Sequence, residues 1–181
     1  MAGDVLVSPR ATARLVVTMP PVPSRLADAL AADIASDYVA LTRTTDAFRH
    51  LAGLACERFT IMIPYIDSVG AAWAADLLEA TCASERLLVL RDASQLVACG
   101  SAGRRVETAA TRIIDYGGAD VANETFHAKI VLADGVAAYV GSANLLRRSK
   151  SINLECGMLV EGPAVAAVKV LLDAVSAMAE A

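Results

Sequence analysis

The sequence predicts an α/β fold, with a mixed, mostly parallel sheet flanked by helices. Two short apolar runs, FTIMIPYI at 59–66 and RLLVLRD at 86–92, have the composition of buried strands. Between them, VGAAWAADLLEATCA at 69–83 has the composition of a helix, and Asp67 or Ser68 is suited to cap it. Because a connection of this length spans a crossover, the two strands are expected to pair in parallel.

Further elements follow the same reasoning along the chain. A helix, TTDAFRHLAGLACER at 44–58, precedes the first buried strand, and 93–110 is a mixed segment with Gly100 and Gly103. Four more strands and a closing helix are predicted from apolar and β-branched runs. They are TRIIDY at 111–116, HAKIVLAD at 127–134, VAAYV at 136–140, SINLECGMLV at 151–160 and the helix at 163–181.

The first 40 residues differ from the rest. A strand, RLVVTM at 14–19, is followed by PPVP and by a helical stretch, SRLADALAADIA at 24–35. We expect residues 1–40 to form a strand-helix appendage and residues 41–181 the main unit. The total of 181 residues suits one compact domain.

Composition limits the possible functions. A hydrophobic fraction of 56% exceeds what the core of one small domain needs and predicts an oligomer interface. The net charge of −4 argues against a protein that coats nucleic acid through a broad basic surface. Charged residues interrupt every long apolar run, and the N-terminus lacks the pattern of a signal peptide. The expectation is a cytoplasmic protein without stable membrane association.

The four cysteines show no paired spacing of the zinc or redox kind. Their apolar or Ala-rich surroundings predict buried free thiols. No metal or other cofactor is expected. The cysteines are Cys56, Cys82, Cys99 and Cys156.

The polar residues concentrate in FHAKIVLADGVAAYVGSANLLRRSKSINLEC, residues 126–156. Asp134-Gly135 between two β-rich runs predicts a two-residue hairpin turn. Counting from that turn pairs Ala133 with Val136, Val131 with Ala138, Lys129 with Val140 and His127 with Ser142. The alternation of a strand then places His127, Lys129 and Ser142 on one face.

The residues after the hairpin add further polar groups. Gly141 allows a close approach of the backbone to a ligand, and the amide of Asn144 reaches the same space. Asn153 and Glu155 are two residues apart and share a face of the next strand. If that strand lies beside the hairpin, Glu155 can accept a hydrogen bond from the His127 ring and fix its tautomer.

Residues 127–144 resemble the H-x-K-x4-D-x6-G-S-x-N pattern of the phospholipase D superfamily, with the Asn-x-Glu of 153–155 downstream. The resemblance is firmest over 126–160 and implies an α/β/α sandwich over 41–181. It implies that His127 is a nucleophile forming a phosphohistidine, that Lys129 and Asn144 hold phosphate oxygens, and that Ser142 and Glu155 support the histidine. Asp134 belongs to the pattern but is predicted to be structural.

The family normally combines two such motifs, whereas this chain has one. His50 lacks a lysine partner and a following Gly-Ser-x-Asn turn. The resemblance therefore implies a symmetric homodimer with His127 of each subunit at a shared site.

Several functions fit this pattern. The first is a metal-independent phosphodiesterase acting on nucleic acid, and a phospholipid hydrolase or transferase is the second. The third is a DNA-binding or scaffolding subunit of an antiviral defence complex, because the strand-PPVP-helix preface is similar to the phospholipase D-like component of DISARM systems. The basic residues Arg147, Arg148 and Lys150 form either a solvated loop or a contact for the substrate backbone.

Overall fold

The computed structural model describes residues 10–26, 28–29, 43–117 and 125–178. Most of the helix predicted at 24–35 lies outside the described residues. The strands are β1 Thr12–Thr18, β2 Arg58–Ile63, β3 Glu85–Leu90, β4 Arg112–Asp115, β5 Ile130–Ala133, β6 Ala137–Gly141 and β7 Glu155–Glu161. The helices are α1 Thr44–Leu54, α2 Ser68–Ala80, α3 Gln95–Ala98, α4 Ser101–Ala109, α5 Arg147–Ser151 and α6 Val165–Met178.

The seven strands form one sheet in the order β1-β7-β6-β5-β2-β3-β4. A mixed sheet flanked by helices is confirmed, but its expected mostly parallel character is wrong. Among the described strands, β2, β3 and β4 pair in parallel, and the other four neighbouring pairs are antiparallel. The reason is that crossover helices connect β2 to β3 and β3 to β4, whereas a tight turn connects β5 to β6.

The N-terminal strand belongs to this sheet. β1 pairs antiparallel with β7 along its whole length, from Thr12 opposite Glu161 to Thr18 opposite Glu155. Thr18 also donates a buried hydrogen bond to Thr44, at the start of α1. The predicted boundary at residue 40 stays a prediction, but the strand before it forms an edge of the common sheet.

Apolar layers cover both faces of the sheet. On one face, α1 and α2 pack their buried sides against the strands, and Phe48 stacks on Trp73 with ring centroids 5.0 Å apart. On the other face, α6 places Val165, Leu172 and Val175 against the sheet. The fold is therefore a helix-sheet-helix sandwich.

Two helices, α3 and α4, form within the segment 93–110, for which the sequence predicts no single type of secondary structure. α3 and α4 meet where Gly103 approaches the carbonyl of Leu96 so closely that a Cβ atom would lie 2.0 Å from its oxygen. Few large apolar residues mark these helices, because small residues make the contact. The pattern of α4 is therefore weak in the sequence.

The predicted hairpin register is wrong by one residue. The connection contains three residues, 134–136, and Ala133 lies opposite Ala137 instead of Val136. Lys129 consequently lies opposite Gly141, whose amide donates to the Lys129 carbonyl over 3.1 Å. Ser142 thus lies beyond the end of β6, and the predicted pairing of His127 with Ser142 does not form.

Asp134 explains the longer turn. Its carboxylate accepts hydrogen bonds from the backbone N–H groups of Cys56, Glu57 and Arg58 at 2.8, 2.9 and 2.7 Å. The residue adopts a φ of 54°, and Gly135 follows with a φ of 108°. The turn is therefore held by the start of β2 rather than by the two-residue geometry that Asp-Gly usually favours.

Two further sequence expectations concern the cysteines and the membrane. All four cysteines have free thiols, but only Cys99 is buried; Cys56, Cys82 and Cys156 are exposed, contrary to the prediction. Across the described ranges, none of the helices combines the length and apolar character needed to span a membrane.

Candidate active site

The predicted site residues gather at one edge of the sheet. β2 and β6 end there, whereas β5 and β7 begin there, because each antiparallel partner reverses direction. His127 and Lys129 precede β5, and Ser142 follows β6. Glu155 is the first residue of β7. Strand pairing therefore brings together residues up to 28 positions apart in the sequence.

His127 and Lys129 are in direct contact. Lys129 Nζ lies 2.8 Å from Nδ1 and 3.0 Å from Nε2 of the imidazole, and it donates to the His127 carbonyl over 2.6 Å. Lys129 is only 4% exposed, whereas His127 is exposed to solvent. Burial lowers the pKa of Lys129, and the negative charge of Glu155 opposes that effect. The pair presents an accessible ring beside a largely enclosed ammonium group.

Glu155 connects a second set of polar groups. Ser142 Oγ donates to Glu155 Oε2 over 2.5 Å, and Asn153 Nδ2 donates to Oε1 over 3.3 Å. The expected hydrogen bond between Glu155 and the His127 ring does not form among the described residues; the carboxylate accepts from Ser142 and Asn153 instead. Glu155 is 5% exposed, and its charge acts on Lys129 at a distance.

The loop carrying Asn144 is fixed by the N-terminus of α2. Asp67 caps this helix through Gly70, and its second oxygen accepts from the Arg147 backbone over 2.9 Å. A Cβ atom on Gly70 would lie 1.6 Å from the Leu145 carbonyl oxygen, so only glycine fits there. Asn144 Oδ1 is buried and has no hydrogen-bond partner within the residues described. Such a buried polar atom is unusual in a folded protein and marks a place for a ligand or water.

Gly141 has a packing role that the sequence did not reveal. A Cβ atom there would lie 2.3 Å from Tyr139 Oη and 2.6 Å from the Gly157 Cα. Tyr139 is fully buried, and burial raises the pKa of its hydroxyl to about 12. The two glycines therefore make room for the Tyr139 ring beneath the site.

The basic cluster divides into separate environments. Arg148 Nε donates to Asn153 Oδ1 over 3.4 Å and is thereby linked to Glu155. Lys150 lies over the Trp73 ring, 5.5 Å from its centroid, and lines a cleft with the end of β1. The Arg147 side chain is exposed. Of the three, Arg148 is the one connected by hydrogen bonds to the predicted site.

Two residues at this edge were missed by the sequence analysis. Tyr65 follows β2, and its ring lies edge-on to His127 with centroids 6.1 Å apart. Arg91 follows β3 and donates to Tyr65 Oη over 2.8 Å. Their position after the ends of two predicted parallel strands was the available signal. Which further strand lies beside them was not evident from the sequence.

Metal ligands are a separate question. Within the described ranges, no group of three or more His, Cys, Asp and Glu side chains is arranged to hold a metal ion. The cationic group beside His127 is the Lys129 ammonium.

Comparison with known families identifies the family to which the fold belongs. The family model described as "Cardiolipin synthase, PLD-like domain" matches residues 49–174, which is well over half of the chain. The chain belongs to this phospholipase D-like family. The matched range contains the His127–Asn144 pattern and Glu155. Membership in this family supports an enzyme of the phosphodiesterase type.

Solved structures of phospholipase D-like proteins share the fold. The family member Nuc from Salmonella typhimurium is 12% identical, with a TM-score of 0.56 over 93% of this chain and 94% of that one. NucT from Helicobacter pylori is 14% identical, with a TM-score of 0.55 over 94% and 97%. Phosphatidylserine synthase from Haemophilus influenzae is 13% identical, with a TM-score of 0.54, but the match covers only 38% of that chain. A search of curated protein sequences found no match.

Proposed function

We propose that this phospholipase D-like protein is a metal-independent phosphodiesterase that cleaves nucleic acid through a phosphohistidine at His127. The observation that carries the proposal is the contact of Lys129 Nζ with both ring nitrogens of an exposed imidazole. A buried ammonium so placed offers positive charge to the phosphoryl oxygens as the ring approaches phosphorus.

The chemistry proceeds in two steps. A His127 nitrogen attacks phosphorus, so that a P–N bond forms while the bond to the leaving oxygen breaks, and the leaving oxygen takes a proton from a general acid. Water then attacks phosphorus, gives its proton to the same group, and breaks the P–N bond. Lys129 and Asn144 hold the phosphoryl oxygens. Ser142 and Glu155 support the surrounding structure.

A homodimer supplies the general acid in this proposal. His50, the other histidine, is on α1 within 3.5 Å of Glu161, at the opposite end of β7 from Glu155. It therefore cannot protonate a leaving group at His127, and the partner's His127 takes that role. Exposed apolar residues on the strands near the site, Val140 and Met158 among them, are available for such an interface.

The preference for nucleic acid rests on local charge. Arg148 extends from the hydrogen-bonded group around Glu155, and Arg91 lies on the other side of His127. Guanidinium groups on both sides of the reacting phosphate suit a polyanionic backbone with phosphates on either side.

The first experiment is hydrolysis of bis(p-nitrophenyl) phosphate and of DNA in excess chelator. His127→Ala should abolish both activities, and His50→Ala should retain them as the matched histidine control. An acid-labile, base-stable phosphoryl adduct on the wild-type chain would identify the intermediate. Full activity of His127→Ala, or activity lost in chelator, would contradict the mechanism.

Subunit mixing tests the shared site. Inactive His127→Ala protein is mixed with wild type under conditions that exchange subunits. If both imidazoles are needed, activity falls with the square of the wild-type fraction; independent sites give a linear fall. A silent, monomeric wild type would favour the alternative of a DNA-binding or scaffolding subunit in an antiviral defence complex.

A further inference from the structure

We propose that Tyr65 and Arg91 form a subsite that binds the single-stranded nucleotide next to the cleaved phosphodiester. This inference rests on the proposed function and adds a recognition element outside the His127–Asn144 pattern. The Arg91 guanidinium lies 5.2 Å from the centroid of the Tyr65 ring and donates to its hydroxyl. The same ring meets His127 edge-on. The pair therefore adjoins the nucleophile directly.

Gln95 holds the two loops in place. Its side-chain amide donates to the carbonyls of Pro64 and Asp92 over 3.1 and 2.9 Å, and its oxygen accepts from the Ile66 backbone over 3.1 Å. One side chain thereby clamps the residues on both sides of Tyr65 to the loop that follows Arg91. A site fixed by such supporting bonds loses little entropy when it binds a ligand.

The position of the pair matches an extended ligand. In the sheet, β2 lies beside β5 and β3 lies beside β2. Arg91 follows β3, so it lies about two strand spacings, roughly 10 Å, from β5, the strand that follows His127. A strand of nucleic acid with its reacting phosphate at His127 would extend past Tyr65 towards Arg91. The ligand therefore runs along the edge of the sheet.

The chemistry of the pair selects the class of ligand. Arg91 is exposed and has no carboxylate within ion-pair distance among the residues described, so its remaining N–H donors are available to a phosphate. Tyr65 is 37% exposed and offers aromatic surface to a base. An aromatic ring beside a guanidinium is the combination that binds single-stranded nucleic acid, because bases stacked in a duplex cannot reach the ring.

The test separates binding from chemistry. Fluorescence anisotropy with a labelled single-stranded oligonucleotide is measured in the His127→Ala background, where no cleavage interferes. Arg91→Ala should weaken binding about 10-fold and reduce the salt slope by about 0.7. Tyr65→Ala should weaken it about 10-fold as well, and Tyr65→Phe by less because the ring remains. Arg49→Ala, an exposed arginine on α1, is the matched control and should bind like its parent.

A second readout uses otherwise wild-type protein and the small diester, which has no neighbouring phosphate for Arg91 to bind. Arg91→Ala should lower kcat/KM for single-stranded DNA about 10-fold, and the loss in hydrolysis of the small diester should be several-fold smaller. Equal losses on both substrates would show that Arg91 only positions His127 through Tyr65 and would overturn the subsite. Unchanged oligonucleotide binding, or a loss seen only with anionic lipid vesicles, would overturn it too. Failure of the phosphohistidine test alone leaves the binding result intact.

Discussion

The two halves of the candidate active site, at one edge of the sheet, are built differently. On the hairpin side, Lys129 and Glu155 are almost fully buried, and neighbouring strands fix their positions through the backbone ladder. On the loop side, Tyr65 and Arg91 are exposed, and the side chain of Gln95 holds their loops. Groups that stabilise a transition state need an enclosed, rigid setting, whereas groups that select a substrate must be accessible. We therefore expect changes on the hairpin side to affect every substrate and changes on the loop side to affect long ones.

Among the changes that compare the two halves, the largest effect is expected for Lys129→Met, which keeps the side-chain length but removes the charge. Hydrolysis of the small diester and of DNA should both fall by about 10²–10³-fold, because one charge-stabilising group is lost. Unfolding stability should be unchanged or higher, since a buried ammonium is costly. Steady-state rates and thermal unfolding check both expectations. A loss confined to DNA would remove the distinction between the two halves.

Asp134→Ala should lower the free energy of unfolding by about 1–3 kcal/mol, because three backbone donors lose a charged acceptor. The rate per folded molecule should change less than about threefold, since the turn is at the opposite end of β5 from His127. Urea unfolding monitored by circular dichroism, with rates measured on the same samples, tests this. A large rate loss at full stability would assign Asp134 a role in chemistry.

Asp134→Asn is the control for charge, and it has a defined pH dependence. Burial opposes ionisation of Asp134, but the backbone donors Cys56, Arg58 and Glu57 together hold the carboxyl pKa below its usual value. A depressed folded pKa stabilises the protein above the unfolded value of about 3.9, and the stabilisation is lost as pH falls through the folded pKa. The stability difference between wild type and Asp134→Asn should therefore be full at pH 6 to 7 and shrink below about pH 4. A difference that persists in acid would contradict this origin.

Gln95→Leu should act on the loop side. Loss of the clamp should cost about 1–2 kcal/mol of stability, because backbone groups of Pro64 and Ile66 lose their partner. KM for single-stranded DNA should rise about fivefold while kcat for the small diester stays within twofold. Gln95→Glu, which keeps the acceptor for Ile66, should lie between wild type and Gln95→Leu. A drop in small-diester kcat would mean that the clamp also orders the hairpin side.

The smallest effect is expected for Arg148→Ala. Its hydrogen bond to Asn153 is long and exposed, so its loss should cost less than about 1 kcal/mol. DNA binding by this variant should weaken two- to threefold. Lys150 faces Trp73 and the cleft beside β1, so Lys150→Ala should have no effect on DNA binding. Anisotropy titrations at two salt concentrations distinguish the variants. Equal effects would show that the basic residues act as one surface.

The hairpin side was largely predictable from the sequence, and the loop side was not. His127 and Lys129 are two residues apart, so local geometry alone predicts their contact. The exact pairing failed because Asp134 bonds to residues near position 57, a tertiary contact that overrides the usual Asp-Gly turn. Tyr65 and Arg91 were missed because their proximity to His127 depends on β2 lying next to β5, and no short-range pattern encodes that order.

The fixed interval between Lys129 and Asp134 has a further consequence. The four intervening residues are the whole of β5, so the lysine and the aspartate mark the two ends of one strand. The spacing therefore equals the length of β5, measured along the strand from the site end of the sheet to the turn. An inserted residue would turn Lys129 towards the opposite helical layer or pull Asp134 away from β2. A change in the length of β5 would therefore separate the charge of Lys129 from the anchor at Asp134.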